Sequence, residues 1–347
     1  MKSLMKSVYQ KFYSMLPEPW AEPVSEVAFK VAGRPFVCFD HALHPPTRLK
    51  KGAITFSTDF EMAWGYQYSR SAEEDCVTIG LREREQVPKI LATLNGYDIP
   101  ITWATVGHLF LASCTRGASG LPHREIPRCG HFDKHWQFTS GDWFQHDPCS
   151  DVHKDPAWYA PDLIEAILSS RTHHEMASHS FSHVGFGEYC PEEVAAAEIH
   201  ASLEAMKLFG LRPKTFVFPG NESGKLNLFA GTGLEVLRLF PVSWAEISLP
   251  VKLKEDLWGV HQSIYVETAT KNVSLDRHLA RLLKFVDKAV ESRMSAHFVF
   301  HSSLPETQMM GLLFPLLRYC AELREKSLID IFTMEGLVNE TVHAWNR

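Results

Sequence analysis

The sequence contains no uninterrupted apolar run that approaches the roughly 20 residues that a membrane-spanning helix needs, so we expect no transmembrane segment. Met1 to Pro17 carries three lysines among apolar residues, without a continuous apolar core or a small-residue cleavage site, and so predicts an amphipathic helix instead of a signal peptide. Excess positive charge is also lacking. The 35 basic and 41 acidic side chains give a formal charge of -6, which argues against a broad nucleic-acid surface.

The cysteines lack the pairing that would indicate a zinc knuckle or a dithiol redox site. There are seven of them, an odd number, widely spaced and without a Cys-x-x-Cys pair. Reduced thiols fit this pattern best, so we expect a cytoplasmic protein.

Strand and helix patterns alternate along most of the chain, in which 45% of the 347 residues are apolar. A β-branched and aromatic strand at Gly52 to Glu61 is followed by a helical pattern from about Leu81 to Leu94, and similar units recur to the end. Apolar strands separated by helices are typical of a parallel sheet covered by helices. The prediction is a (β/α) barrel, complete or distorted, of about seven parallel strands over residues 51–347, after a helical or extended lead-in at 1–50. An insertion of little periodicity lies at about 107–156.

Acidic and histidine side chains fall at or just beyond the predicted strand ends: Asp59, Glu61, His179, His183, Asn221 and His301. Because a barrel gathers its active site at the carboxyl ends of its strands, we expect these residues to converge. Two imidazoles four residues apart can hold a divalent metal from one face of a turn or helix, together with a carboxylate. A second carboxylate can act as general base and a further histidine as general acid, as in a metal-dependent amide or ester hydrolase. Each feature alone also fits a polar helix face or a turn.

Four segments, in order, resemble the motifs of the polysaccharide deacetylase family, the NodB-homology carbohydrate esterases (carbohydrate esterase family 4-like). They are Asp59-Phe60-Glu61, His179-Ser-Phe-Ser-His183, Phe216-Val-Phe-Pro-Gly-Asn221 and Phe300-His301. The resemblance runs from about residue 53 to 305, and the His-Ser-Phe-Ser-His segment is its most distinctive part.

The resemblance implies a distorted barrel that removes acetyl groups from N-acetylated sugars by means of metal-activated water. By similarity, Asp59 would be the base, Glu61, His179 and His183 the metal ligands, and His301 the general acid. The reverse roles for the two acids stay open, since Ser57 shares their face of the strand. Zinc is the expected ion, with cobalt, nickel or manganese as alternatives.

Two departures from the family pattern concern the residues that orient the base and the acid. Relatives usually have an arginine beside the proline of the third motif, where this chain has Gly220. Arg238, near a later strand end, could supply the missing charge, but we expect it at the surface. The aspartate that should orient the acid histidine has no clear counterpart around Ser243-Trp244.

The insertion and Asn221 are the predicted substrate-binding elements. Aromatic and polar side chains in and beside the insertion can stack on sugar rings and bond their hydroxyls, although they can also anchor the loop to the core. The candidates are Trp143, His146, Asp147, Trp158 and Tyr159. The favoured function is deacetylation of an N-acetylated sugar or sugar-containing metabolite. The alternatives are hydrolysis of a non-sugar amide or formamide, and a catalytically impaired binding protein. The oligomeric state is open.

Overall fold

The computed structural model describes residues 48–346 except 71, 73, 119, 134–135, 241–246 and 269–272. The predicted lead-in at 1–50 therefore lies outside the described residues up to position 47. No helix within the described part of the chain is long and apolar enough to cross a membrane.

A curled sheet of mainly parallel strands forms the centre of the fold. Its strand order is β10-β11-β1-β2-β5-β6-β7-β9-β8, and β12 pairs with the amino-terminal half of β1. Only β8 runs antiparallel to its neighbour in this order. The strands are β1 (Gly52–Phe60), β2 (Thr102–Thr105), β3 (Phe132–Asp133), β4 (Gln137–Phe138), β5 (Glu175–Ser178), β6 (Thr215–Val217), β7 (Val236–Leu239), β8 (Val251–Lys254), β9 (Leu257–His261), β10 (Ile264–Tyr265), β11 (Ser295–His301) and β12 (Ile329–Phe332). Strands β3 and β4 form a separate hairpin.

The sheet curls back on itself because the chain passes directly from β9, beside β7, to β10, beside β11. Gln262 N–H donates to Leu239 O at 2.9 Å, and Ser263 N–H donates to His297 O at 2.8 Å. The predicted distorted (β/α) barrel is confirmed. Strands β8, β9 and β10 were not predicted from the sequence, because β10 has two residues and the lysines of β8 leave no apolar run.

Five helices in the described residues cover the outer face of the sheet: α1 (Cys76–Tyr97), α2 (Pro161–Leu168), α3 (Glu192–Lys207), α4 (Leu275–Ser292) and α5 (Phe314–Glu325). A further helix, α6 (Met334–Trp345), lies at one end of the barrel. A short turn and a π-helical turn, Met309–Leu313, lead into α5. Helix α1 begins before its predicted start because Asp75 caps it, accepting from Thr78 N–H at 3.0 Å. It ends at Asp98 in the left-handed region, beyond the predicted Asn95-Gly96 stop.

Helix α6 covers the end of the barrel at which β2 and β5 begin. Met334 N–H donates to Thr102 Oγ1 at 2.9 Å, and Glu335 N–H donates to Glu175 Oε2 at 3.1 Å. Buried alanines on the strands, Ala53, Ala104 and Ala177, pack in one apolar cluster with residues of α6. Small side chains leave room for the helix to fill this end, so the opposite, carboxyl-terminal end is where a site can open.

Candidate active site

Glu61, just after β1, and two histidines after β5 form a buried group. Glu61 Oε2 lies 2.6 Å from His183 Nε2 and 3.4 Å from His179 Nε2. The three side chains are at most 3% exposed, and their ligand atoms lie within 4.8 Å of one another. Burial by itself opposes ionisation of Glu61, but His183, followed by His179 and His301, holds its pKa well below the usual range. The group is therefore an anionic carboxylate facing two imidazoles.

The two histidines lie in a loop, so the spacing of four residues does not reflect a helix face. Ser180 and His183 both have a left-handed backbone, with φ of 56° and 65°. The buried Glu198 on α3 holds this loop, accepting from Phe181 N–H and Ser182 N–H at 2.8 Å each and from Ser182 Oγ–H at 2.6 Å. Strained backbone of this kind persists only where neighbouring bonds fix it. Glu198 was not identified from the sequence because it lies in an ordinary helical pattern.

The orientation of His179 fits a metal ligand. Its Nδ1–H donates to Val217 O at 2.9 Å, which fixes the tautomer and leaves Nε2 as the free lone pair. Nε2 is buried, without a hydrogen-bond partner, and directed at Glu61. A buried nitrogen without a partner is costly, and a bound cation would satisfy it. One carboxylate and two imidazoles form a donor set that accepts zinc and similar divalent ions.

Asp59, at the end of β1, pairs with Arg238 on β7. The guanidinium contacts both carboxylate oxygens, Nη1 at Oδ1 and Nη2 at 2.6 Å from Oδ2. The Arg238 side chain is 1% exposed and that of Asp59 is 6% exposed, so the prediction that Arg238 lies at the surface is wrong. The Arg238 side chain is buried because β7 is not an edge strand: it lies between β6 and β9 in the sheet. Although burial opposes ionisation, the Arg238 charge holds the pKa of Asp59 below its ordinary value.

Ser57 and His297 form a hydrogen-bonded chain with the Arg238 side of this ion pair. Arg238 Nη1 donates to Ser57 Oγ at 3.2 Å, and Ser57 Oγ lies 2.8 Å from His297 Nε2. Burial, and then the charge of Arg238, lowers the pKa of His297 to about 3, so its ring is neutral. Ser57 faces the same side of β1 as Asp59, as the strand alternation predicts. Its contacts are to Arg238 and His297.

His301, at the end of β11, is the most exposed of the converging groups, with 28% of its side chain accessible. Its Nε2 lies 3.6 Å from Glu61 Oε1 and 3.9 Å from Asp59 Oδ2. Its Nδ1 lies 2.5 Å from Glu267 Oε1. Burial alone would lower the pKa of His301, but Glu267, followed by Glu61 and Asp59, raises it to about 10. The imidazole therefore carries a proton at neutral pH.

Glu267 was missed from the sequence. The predicted partner of His301 was sought around Ser243-Trp244, which lies outside the described residues. Glu267 follows β10, and β10 and β11 are parallel neighbours, so their ends meet. A carboxylate just after the short apolar segment Ile264 to Val266 was the available signal, of the same kind as that at Asp59.

Tyr265 and Asn221 border His301. The Tyr265 ring stacks on His301 with centroids 5.9 Å apart and an interplanar angle of 6°. Asn221 Nδ2–H donates to Tyr265 Oη at 2.6 Å. Asn221 is thus brought to the site as predicted, while its contact is to a protein hydroxyl.

Trp136, from the insertion, covers His183 with ring centroids 5.6 Å apart, and its Nε1–H donates to Gly65 O at 3.0 Å. Gly220 lies against the same indole. It has φ of 59°, and an added Cβ would be 3.1 Å from Trp136 Cζ3. Gly220 therefore provides space and a left-handed turn where relatives usually have an arginine.

Glu83, in α1, bonds the segments that follow β1 and β11. It accepts from Met62 N–H, next to Glu61, at 2.7 Å and from Ser302 Oγ–H, next to His301, at 2.6 Å. Burial raises its pKa to about 8. Glu83 thereby fixes the distance between the ends of β1 and β11.

The structure does not bring the aromatic and acidic candidates of the insertion to this site. Trp143, Asp147, Trp158 and Tyr159 are at most 4% exposed. Trp143 Nε1–H donates to Ser182 Oγ at 2.9 Å, and Tyr159 Oη–H donates to Asp147 Oδ1 at 3.2 Å. Their burial leaves no surface for stacking on a sugar, and they anchor the insertion to the core. His146 packs on Tyr68 with ring centroids 5.4 Å apart.

A family model described as polysaccharide deacetylase matches residues 74–230, which include the histidine loop. Among solved structures, a Mycobacterium smegmatis protein named as a polysaccharide deacetylase has a TM-score of 0.57 at 14% identity, covering 87% of this chain and 94% of that one. A Pseudomonas aeruginosa protein named likewise has a TM-score of 0.56 at 10% identity, covering 83% and 90%. Both likenesses show the fold. A search of curated proteins finds no match.

Proposed function

We propose that this chain is a member of the polysaccharide deacetylase family, whose model matches residues 74–230, and a metal-dependent hydrolase that removes the acetyl group from an N-acetylated sugar. The observation that carries the proposal is the grouping of Glu61, His179 and His183 between two charged pairs, Asp59–Arg238 and His301–Glu267. A cation site flanked by a base on one side and an acid on the other is suited to amide hydrolysis.

Glu61, His179 and His183 would hold the divalent metal, with zinc as the favoured ion. When bound there, it would polarise the acetyl carbonyl and lower the pKa of a water molecule. The free, buried Nε2 of His179 and the short approach of His183 to Glu61 support these ligands. Because Glu61 faces His179 and His183 in the ligand group, Asp59 is the remaining carboxylate that can accept a proton. The contacts thus favour Asp59 as base over the reverse assignment.

Asp59 would take the proton of the attacking water on a carboxylate oxygen. Arg238 acts on this step in two ways: it keeps the carboxylate ionised, and it fixes both oxygens so that they cannot rotate away. His301 would deliver a proton from Nε2 to the departing sugar nitrogen, since Glu267 at Nδ1 keeps the ring protonated. The base and the acid thus start the reaction in the protonation states that they need.

The sugar would lie over Trp136, which covers His183, and over Tyr265, which stacks on His301 and is bonded by Asn221. Aromatic faces with a nearby amide are typical of sugar recognition. A flat non-sugar amide would also fit aromatic walls and is the alternative substrate class.

The test compares acetylated amino sugars with small amides and formyl compounds, with acetate or formate release measured for the metal-loaded protein. We expect turnover of an acetylated sugar, and loss of at least about 10²-fold in kcat for Asp59→Asn and for His301→Gln. Asp330→Asn, a change in a half-exposed carboxylate paired with Lys51, is the control and should leave kcat unchanged.

Turnover restricted to amides or formyl compounds would exclude the sugar. Metal retention without turnover of any compound would instead support an impaired binding protein. Equal activity of Asp59→Asn and the parent protein would contradict the proposed roles.

A further inference from the structure

A second group of metal-type ligands lies in the insertion and takes no part in the site described above. His108 follows β2, and the other three residues come from the irregular segment after it: Cys114, His123 and Asp147. Their ligand atoms lie within 4.8 Å of one another, although the first and last residues are 39 positions apart in the sequence. His108 and Asp147 are completely buried, and the His123 side chain is 9% exposed.

The distances within this group match those between ligands of one ion. Asp147 Oδ2 lies 3.3 Å from His108 Nε2 and 3.2 Å from His123 Nε2, and Cys114 Sγ lies 3.3 Å from the same oxygen. Two nitrogen or oxygen atoms bound tetrahedrally to zinc at about 2.0–2.1 Å are about 3.3–3.4 Å apart. Two imidazoles, a thiol and a carboxylate also provide four ligands, the number in a closed structural zinc site.

His108 supplies an independent observation. Neither of its buried ring nitrogens makes a hydrogen bond of normal geometry, although Nε2 faces Asp147 Oδ2 at 3.3 Å. A hydrogen-bonded network of the same four residues would satisfy at least one of them, because a buried unpaired nitrogen is costly. A cation at the centre would use the Nε2 lone pair.

The surroundings orient Asp147 towards the histidines. Its other oxygen, Oδ1, accepts from Cys149 N–H at 2.8 Å and from Tyr159 Oη–H at 3.2 Å. These bonds leave Oδ2 to face His108 and His123. Outer contacts that fix a carboxylate in this way are usual around bound metals.

We propose that His108, Cys114, His123 and Asp147 form a second, structural zinc site that ties the insertion to the end of β2. The insertion has little regular structure of its own, since β3 and β4 contain two residues each. It also carries Trp136, the wall over His183. A zinc ion here would hold that wall in place without contacting substrate.

Cobalt substitution of the full-length protein tests this without any variant. Chelator-stripped protein is reloaded with Co²⁺, and its absorption spectrum is recorded. Glu61, His179 and His183 contain no sulfur, so a thiolate-to-cobalt charge-transfer band in the near ultraviolet can arise only from a cysteine site. We expect this band, and we expect about two zinc ions per chain in the zinc-loaded protein by elemental analysis.

Three variants assign the ions. Cys114→Ala should lose the band and about one ion, whereas His183→Ala should keep the band and lose the other ion. Cys149→Ala is the matched control: its backbone N–H still bonds Asp147, and its thiol is outside the group, so the band should persist. A wild-type protein with one zinc and no band, or a band that disappears in Cys149→Ala but not in Cys114→Ala, would overturn the proposed site. Loss of zinc only in His183→Ala would do so while leaving the proposed hydrolase function intact.

Discussion

Replacing Arg238 with methionine keeps most of the side-chain volume but removes the charge that faces Asp59. The guanidinium and the carboxylate are 1% and 6% exposed, so little water can replace the lost partner. Removal of one member of a buried ion pair costs about 3–5 kcal/mol, because the remaining charge stays desolvated. We expect Arg238→Met to lower the free energy of unfolding by that amount at pH 7.

The pH dependence of this loss has a defined sign. The pKa of Asp59 is depressed in the folded protein, so its pairing contributes stability above its ordinary value of 3.8, and this contribution is lost as the pH falls through the folded pKa. The stability difference between the parent protein and Arg238→Met should therefore shrink as the pH falls, from the pH at which the unpaired, buried Asp59 of the variant takes up a proton down to the depressed pKa of Asp59 in the parent. The acid limb of the pH profile of kcat/KM should also move to higher pH, because Asp59 without Arg238 loses its proton only at a higher pH.

Urea unfolding of four proteins provides the measurement: the parent, Arg238→Met, Asp59→Asn and the double variant. Once no unpaired charge remains, the double variant should recover at least about 2 kcal/mol of the loss in Arg238→Met. Arg318→Met is the control, since that side chain is 65% exposed and lies 3.9 Å from Glu322, and it should change stability by less than about 0.5 kcal/mol. A loss below about 1 kcal/mol in Arg238→Met, with an unmoved acid limb, would refute the assignment of Arg238 to the base.

Three further changes test the supporting residues. Glu267→Gln removes the charge that raises the pKa of His301 to about 10, so the alkaline limb of kcat/KM should move to lower pH; an unchanged limb would contradict the pairing. Glu83 has its pKa raised from 4.5 to about 8, so its contribution to stability is present below 4.5 and is lost as the pH rises to 8. From pH 4.5 to pH 7 the free energy of unfolding of the parent should therefore fall by about 3 kcal/mol relative to that of Glu83→Gln, with both proteins metal-free and measured by urea unfolding. A difference that does not change with pH would contradict this. Gly220→Ala should cost about 1–2 kcal/mol and raise KM through Trp136, whereas Gly210→Ala, with φ of 72° and open space, should show only the backbone cost; equal KM values would exclude the Trp136 contact.

The strand pattern was sufficient to predict the barrel and the convergence of five residues: Asp59, Glu61, His179, His183 and His301. Alternation along a strand fixes which side chains share a face, and parallel strands bring their carboxyl ends to one edge. Both are local properties of the chain or direct consequences of the fold class. The same logic reaches Glu267, whose strand was too short to recognise.

Contacts between side chains from distant elements of the barrel could not be predicted from the sequence. The pairing of Arg238 with Asp59 depends on where β7 lies in the sheet, and the bonds of Glu83 and Glu198 depend on which helix face meets which loop. The burial of Trp143, Asp147, Trp158 and Tyr159 follows from how an irregular insertion folds back on the core, for which no periodicity gives a signal.

The sequence by itself thus determined which residues could bind a metal and exchange protons at the strand ends, because backbone geometry repeats along each strand. Only the tertiary structure decided which charges hold Asp59 and His301 in their protonation states. Ionisation of a buried group depends on every partner within a few ångströms, and barrel closure brings those partners together from distant parts of the chain.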